Sequence, residues 1–322
     1  MLSERYGEHR LPFGSLKALT PVELHGGMHF KRDDKFAPLG YGNINGSKLR
    51  QAIYLVDKWV REKDIKGVVS GSVSQSPQHA FISAICKQYE LDCIIVHAKK
   101  NIDESPYLKA AKENGSRFVL SKVGYAKTLG SIAKKMLKEL PEYEYLETNI
   151  TLDEKVNEWV DIEEFHSLGS LQVRNIPNTI STLIIPCGSC NSATSILYGL
   201  VRFPKLNIKN IILMGIGNHG SNNIGYIQNR LWNICRTKGI DINGIFDFEF
   251  KRDGTKQHGM TYYNLNGDGY CKYGDVMNEQ IGDIKFHPRY EGKCIRYIKE
   301  RKQSDWNEDS LFWIVGSDIT KI

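Results

Sequence analysis

The alternation of apolar and polar positions along this chain of 322 residues predicts short buried strands separated by helices. Apolar runs stand at GVVSG (67–71), CIIVHA (93–98), RFVLS (117–121), TLIIPC (182–187), NIILMGI (210–216) and LFWIVG (311–316). Runs this short and this continuous suit strands covered on both faces. Between them the period changes. Leu49, Ile53, Val56 and Val60 recur at helical spacing on one face, whereas Ala80, Phe81, Ile82, Ala84 and Ile85 predict a helix buried nearly all round. Strands alternating with helices imply an α/β fold built on parallel sheet. The stretch 125–180 is polar and weakly patterned, so a domain crossing is expected there. No internal repeat or low-complexity tract is present.

Composition narrows the class only a little. A hydrophobic content of 41% is enough to bury a large core, in one large domain or two intimate ones. Lys and Arg number 43 against 37 Asp and Glu, a net charge of +6, and the basic residues are spread along the chain rather than gathered in one block. A nucleic-acid or other anionic partner is therefore permitted, not indicated. No run approaches the roughly 18 apolar residues of a membrane span, and MLSERYGEHRLPFG has no apolar segment to serve as a signal, so a cytoplasmic location and no membrane contact are expected. Seven cysteines, an odd number with several inside apolar runs, read as reduced thiols.

Three segments carry candidate chemistry. In GNINGSKLRQAIYLV (42–56) a glycine-rich turn delivers Lys48 to the start of an amphipathic helix. The helix's positive end and nearby Arg50 both disfavour the charged amine and lower its pKa from the reference of about 10.4, which favours a nucleophile. Taken alone, such a lysine is more often a solvated helix-start residue. In PCGSCNSATSILYGL (186–200) an apolar strand ends in a small-residue turn before a helix. Backbone N–H groups there, with the hydroxyls of Ser189 and Ser192, form a phosphate cradle, although a plain strand-to-helix turn gives the same pattern. Cys187 and Cys190 lack a second ligand pair at metal spacing, so no metal is expected. SGSVSQSPQHAF (70–81) is a third strand-turn-helix element, suited to a substrate carboxylate, with His79 either a packing or a catalytic residue.

In this order the three segments resemble the fold-type II pyridoxal-phosphate enzymes of the tryptophan synthase beta-like superfamily. The likeness is strongest to the branch holding aminocyclopropane-carboxylate deaminase and D-cysteine desulfhydrase. HFKRDDKFAPLGYGNINGSKLRQAIYL is similar to that branch's lysine segment, which makes Lys48 the Schiff-base lysine. VVSGSVSQSPQHAF is similar to its substrate-carboxylate loop, with Gln75, Ser76 and Gln78 on matching positions. PCGSCNSATSILYGL stands where the family has its phosphate loop, which implies Gly188, Ser189, Cys190, Asn191 and Ser192 as cofactor contacts. KYGDVMNEQ (272–280) and HPRYEGKCIRYIKE (287–300) also follow the deaminase branch, which implies Tyr290 and Tyr273 beside the substrate and Glu291 at the pyridine nitrogen.

The sequence also departs from that pattern. Pro77 takes the place of an asparagine that bonds the cofactor, and proline has no N–H to give. Cys190 and Asn191 replace glycines, and WIVGSD (313–318) replaces a His-Thr-Gly-Gly stretch. The cofactor site is kept and the substrate site altered. The resemblance implies two α/β domains, residues 50–160 and residues 1–49 with 161–322, with pyridoxal 5'-phosphate in the cleft between them, and a homodimer. It also implies a lyase or deaminase acting at the α-carbon of an amino-acid-like substrate, releasing a keto acid and ammonia. The alternative is the same cofactor chemistry on an amino-acid group attached to something larger, such as a hypermodified base in DNA.

Overall fold

The computed structural model describes residues 16–40, 44–146, 159–205, 207–216, 223–248 and 258–316. These fall into two compact units, one formed by described residues of 37–146 with Leu16, the other by those of 17–36 and 159–316. In chain order the strands are β1 (Val22–His25), β2 (Met28–Arg32), β3 (Gly67–Gly71), β4 (Asp92–His97), β5 (Arg117–Leu120), β6 (Tyr143–Leu146), β7 (Thr182–Cys187), β8 (Asn210–Gly215), β9 (Phe246–Asp247), β10 (His258–Asn264), β11 (Gln280–Ile281), β12 (Ile284–Lys285) and β13 (Ser310–Ile314). The α-helices are α1 (Ser47–Lys63), α2 (Gln78–Gln88), α3 (Pro106–Glu113), α4 (Ala126–Met136), α5 (Trp159–Ser170), α6 (Asn191–Arg202), α7 (Asn223–Arg236) and α8 (Glu291–Arg301).

In the first unit the strand order is β5-β4-β3-β6, all parallel, with Val69 of β3 paired to Ile94 on one side and Tyr145 on the other. Val69, Ile94, Val96, Leu129 and Ala133 join α4 to this sheet. The approach is close. A Cβ on Gly71 would lie 2.4 Å from the Leu129 carbonyl, so β3 and α4 meet at a residue with no side chain.

In the second unit the order is β1-β2-β13-β7-β8-β10-β9. β1 and β2 form an antiparallel hairpin, and the remaining pairs of this sheet are parallel. Met28, Phe30, Ile184, Ile212, Phe312 and Ile295 share one core, which ties the hairpin, the sheet and α8 together. The two units share a topological feature: the series β3-β4-β5 runs one way with β6 on the other side of β3, and β7-β8-β10 runs one way with β13 on the other side of β7. Strand order therefore reverses between β3 and β6 and between β7 and β13. In open α/β sheets the crevice outside the C-terminal strand ends at such a reversal is where ligands bind.

All six expected strands are present within two residues of their expected bounds, and an α/β fold with parallel sheets is what forms. The stretch read as polar and weakly patterned instead holds α4, β6 and α5. β6 (YEYL) escapes an apolar-run criterion because it is an edge strand with three half-buried residues out of four. β10 (HGMTYYN) escapes as well, since only His258 and Met260 of its seven residues are buried. All seven cysteines are free and buried. Among the described residues no helix is long and apolar enough to cross a membrane.

Helices α5 and α6 meet at Gly199, where an added Cβ would lie 2.5 Å from the Ser170 carbonyl and 2.7 Å from Val173. Gly199→Ala should therefore lower stability by about 1–3 kcal/mol despite alanine's better helix propensity. Chemical denaturation that finds the variant as stable as the parent would show that the two helices can separate freely.

Candidate active site

Lys48 is the second residue of α1, half-buried, and the turn before it depends on Gly46, whose φ of +104° is one that side-chain-bearing residues rarely adopt. Arg50, one half-turn on, is fully buried, and its Nη1 donates to the Leu16 carbonyl. α1 passes to β3 through residues 64–66, so Lys48 lies at the end of the helix remote from the start of β3.

The loop 72–77 leaves β3 at the reversal of the first sheet. Its own hydrogen bonds shape it: the Ser76 N–H donates to the Val73 carbonyl (2.8 Å), and Pro77 caps α2. His79 is fully buried, its Nε2 lies 3.0 Å from the same Val73 carbonyl, and burial pushes its pKa down to about 4. It is thus a neutral ring that pins the loop. The Gln78 side chain points back into the sheet, with Nε2 donating to Ser70 Oγ (2.8 Å) and to the Leu146 carbonyl at the end of β6 (3.4 Å). Gln75 and Ser76 share this loop with a residue that sequence reasoning did not single out. Ser72 Oγ is buried and has no hydrogen-bond partner among the described residues.

In the second unit the turn after β7 carries Gly188, Ser189 and Cys190 into α6. Cys190 adopts a left-handed conformation (φ 65°), no acidic residue stands in the first turn of α6, and among the described residues nothing lies within 4 Å of a Cβ built on Gly188. An anion meets N–H groups here and no opposing charge. Arg230 of α7, 5% exposed, reaches the same turn: Nη1 donates to Asn191 Oδ1 (2.8 Å) and to the Ser189 carbonyl (3.3 Å). Burial, and then the charge of Arg230, pushes the pKa of His166 down to about 3, and its neutral ring is held by Ser195 Oγ at 2.7 Å. Arg230 was also not singled out from the sequence. Its one signal was a charge on an apolar helix face, beside Ile227, Leu231 and Ile234.

Glu291 opens α8 and is fully buried. Its Oε1 accepts the backbone N–H groups of Val315 (3.0 Å) and Gly316, just past β13, while its Oε2 is buried without a partner among the described residues. A Cβ on Gly316 would lie 2.4 Å from Oε2, so the carboxylate sits where only glycine leaves room. Burial pushes its pKa up to about 7, although the N–H groups act the other way. The anchor of Glu291 and the turn of Gly188 thus leave neighbouring strands at one sheet edge, at the reversal between β7 and β13.

Tyr290, immediately before Glu291, packs its ring 4.5 Å from that of His287. Tyr273 is brought to the same helix start by Lys293, whose Nζ donates to the carbonyls of Lys272 (2.7 Å) and Tyr273 (2.8 Å). The second unit therefore gathers Gly188, Ser189, Cys190, Asn191 and Ser192 on one turn, and Tyr273, Tyr290 and Glu291 around one helix start. Lys48, Gln75, Ser76 and Gln78 belong to the first unit. The second unit offers an anion cradle and a buried proton acceptor, and the first an amine at a helix start.

No family model matches the chain. It is 36% identical, over 331 residues covering 89% of this chain and 77% of the relative, to an O-seryl-dTMP PLP-dependent decarboxylase of Salmonella phage ViI. Among solved structures it is similar to an ACC deaminase homologue, with a TM-score of 0.70 at 17% identity over 96% of this chain and 91% of that one. A diaminopropionate ammonia lyase from Escherichia coli follows with a TM-score of 0.57 at 12% identity over 99% and 91%. Threonine deaminase isoform 2 from Solanum lycopersicum gives 0.55 at 15% identity over 92% and 79%.

Glu291 binds its proton more tightly in the folded protein (pKa about 7) than at the ordinary value of 4.5. Its contribution to stability is therefore full below about pH 4.5 and is lost as pH rises through about 7. Glu291→Gln keeps the shape and removes the titration. In cofactor-free protein the stability of the parent relative to this variant should fall between those pH values by at most about 3 kcal/mol. Denaturant unfolding across that range checks it, and a difference independent of pH would mean that Glu291 does not titrate there.

Proposed function

The chain belongs to the fold-type II pyridoxal 5'-phosphate-dependent enzymes, and from that membership we propose that it removes the α-carboxylate, as carbon dioxide, from an amino acid carried on a nucleotide. The observation that carries this is the 36% identity, over most of both chains, to a decarboxylase named for O-seryl-dTMP. Decarboxylation requires a free α-carboxylate, so the seryl group of such a substrate is joined to the nucleotide through its side-chain oxygen.

The residues fit the cofactor. A protonated pyridine nitrogen needs a buried acceptor, and Glu291 Oε2 is one without a partner. A phosphate dianion needs donors, and the turn 188–192 offers backbone N–H groups and hydroxyls with the guanidinium of Arg230 behind them. The aldehyde needs an amine, which Lys48 supplies at a helix start. When bound, pyridoxal phosphate supplies an electron sink for a carbanion at the α-carbon of the substrate.

The side chains then divide the work. Lys48 would hold the cofactor and would carry a proton on Nζ. Glu291 would keep the ring nitrogen's proton in place. Gln75 and Ser76 orient the carboxylate, and so does Gln78 as far as its bonds to Ser70 and Leu146 allow. Pro77 has no N–H, and the amide nitrogen of Gln78 is engaged in the sheet, so the loop gives the carboxylate few donors. A carboxylate that is weakly held loses little when it departs as carbon dioxide. The electron pair of the broken bond stays on the α-carbon, and a proton delivered there from Lys48 or the Tyr290 hydroxyl completes the amine. Were Lys48 to take the α-proton in place of carboxylate loss, the pair left on the α-carbon would expel the nucleotide oxygen from the β-carbon, the carboxylate would be retained, and the products would become a keto acid and ammonia.

Incubating cofactor-loaded protein with O-seryl-dTMP should release carbon dioxide in step with substrate loss and leave the amine on the nucleotide. A keto acid with ammonia instead of carbon dioxide would replace decarboxylation by elimination. Borohydride reduction of the loaded protein followed by peptide mapping should mark Lys48, and a mark on any other lysine removes its role. Ser189→Asp should weaken cofactor retention by placing like charges together, as equilibrium dialysis would detect.

A further inference from the structure

The basic residues are spread along the chain, but the acidic ones are not. Residues 114–138 hold six of the 43 Lys and Arg (Arg117, Lys122, Lys127, Lys134, Lys135, Lys138) and none of the 37 Asp and Glu. The rest of the chain is balanced, 37 against 37, so the whole net charge of +6 resides in this one stretch. It forms β5, the loop 121–125 and α4. Leu129, Gly130 and Ala133 of α4 are buried, and Lys127, Ser131, Lys134, Lys135 and Lys138 are exposed on its outer face and just beyond its end. Arg117 pairs with Asp92, and Lys134 lies over the Tyr145 ring. Among the described residues Lys122, Lys127, Lys135 and Lys138 have no ion-pair partner.

The same surface is apolar at its tip. Of eight exposed large hydrophobic side chains among the described residues, three stand within 120–125: Leu120 (56% exposed), Val123 (41%) and Tyr125 (77%). The loop lies at the C-terminal edge of the first sheet, the edge from which the loop 72–77 also leaves. It is braced there: the Ser121 N–H donates to the His97 carbonyl (2.7 Å), and a Cβ on Gly124 would lie 3.3 Å from that of Ala98. The favourable interaction of cations with a helix C-terminus accounts for Lys134 and Lys135, but not for Lys122, or for Lys127 in the first turn, where the dipole opposes a cation.

We propose that the loop 120–125 and the outer face of α4 form a docking surface for DNA, with phosphates on Lys122, Lys127, Lys135 and Lys138 and a base stacked on Tyr125. Unpaired lysines with no acid among them complement a polyanion, and an exposed tyrosine beside them is the stacking platform that single-strand binding uses. This deepens the functional reading above, because it presents the amino-acid-bearing nucleotide as part of a DNA strand rather than free.

The test is binding, which does not depend on turnover. Holoenzyme and a fluorescein-labelled single strand of roughly 20 nucleotides, titrated between about 50 and about 200 mM salt, should show an affinity that falls steeply with salt. Lys122→Gln, Lys127→Gln and Lys135→Gln combined should flatten the logarithmic salt slope by about 2 and weaken binding uniformly. Tyr125→Ala should weaken binding about tenfold and leave the slope unchanged. All four residues are exposed, so the melting temperature and turnover of free O-seryl-dTMP should be those of the parent. Absence of DNA binding by the parent, or binding that the lysine variant leaves intact, overturns the proposal even if free O-seryl-dTMP is decarboxylated. Adsorption to vesicles with roughly 30% phosphatidylglycerol but not to DNA overturns it in favour of a membrane surface. DNA binding with the expected slopes but no carbon dioxide from any substrate form would instead leave the surface standing and remove the decarboxylase reading.

Discussion

Parallel strands cannot be joined by a tight turn, and most of this molecule follows from that constraint. Each strand of the two main parallel series must cross over before its neighbour can pair, so helices accumulate on the sheets and the loops that are free to bind gather at the C-terminal strand ends. Because β6 returns beside β3 and β13 beside β7, each unit has one place where successive crossovers diverge. The loop 72–77 stands at the first of these places, and the turn 188–190 with the Glu291 anchor stands at the second. The two units repeat one topological solution with different side chains. The first offers an amine, hydroxyls and amides, and the second an anion cradle and a carboxylate.

Within the second unit the decisive interaction is the half-satisfied carboxylate. Two N–H groups at the end of β13 fix Glu291 Oε1, and Gly316 clears the space that Oε2 occupies. A buried oxygen with no partner among the described residues is costly to keep, and burial raises the pKa to about 7. Arg230 does the corresponding work at the turn, where a charge that is almost wholly inside the fold is held by Asn191 and the Ser189 carbonyl. Neutral His166 and His79 do the opposite: they brace backbone and side chains without adding charge near either loop.

Net charge and exposed apolar side chains coincide on one surface in a way that composition conceals. A net charge of +6 spread evenly would mean little for function, but here it lies on one strand, one loop and one helix, beside the loop where three large apolar side chains face solvent. The absence of acids makes that surface, more than any excess of bases.

The sequence by itself determined the class of fold and the local chemistry. Buried strands such as TLIIPC and NIILMGI announce themselves as apolar runs, and Gly46-Ser47-Lys48 announces a helix start carrying an amine, because burial on both faces and glycine-only backbone angles leave marks in a single stretch of chain. The resemblance carried Lys48, Glu291 and the turn 188–192 with it. Strands with few buried positions, such as β6 and β10, stayed hidden, since a half-exposed strand needs no apolar run. Ser72, Arg230 and the direction of the Gln78 side chain were decided only by the tertiary structure. A serine at a strand end is ordinary until its neighbours remove every partner, an arginine on an apolar helix face has no evident target until a turn 41 residues earlier in the chain is folded against it, and a glutamine at a helix start points to Leu146 only once β3 and β6 have paired. These are long-range facts: Arg230 and Gln78 find hydrogen bonds that only the fold supplies, and Ser72 is left without one among the described residues.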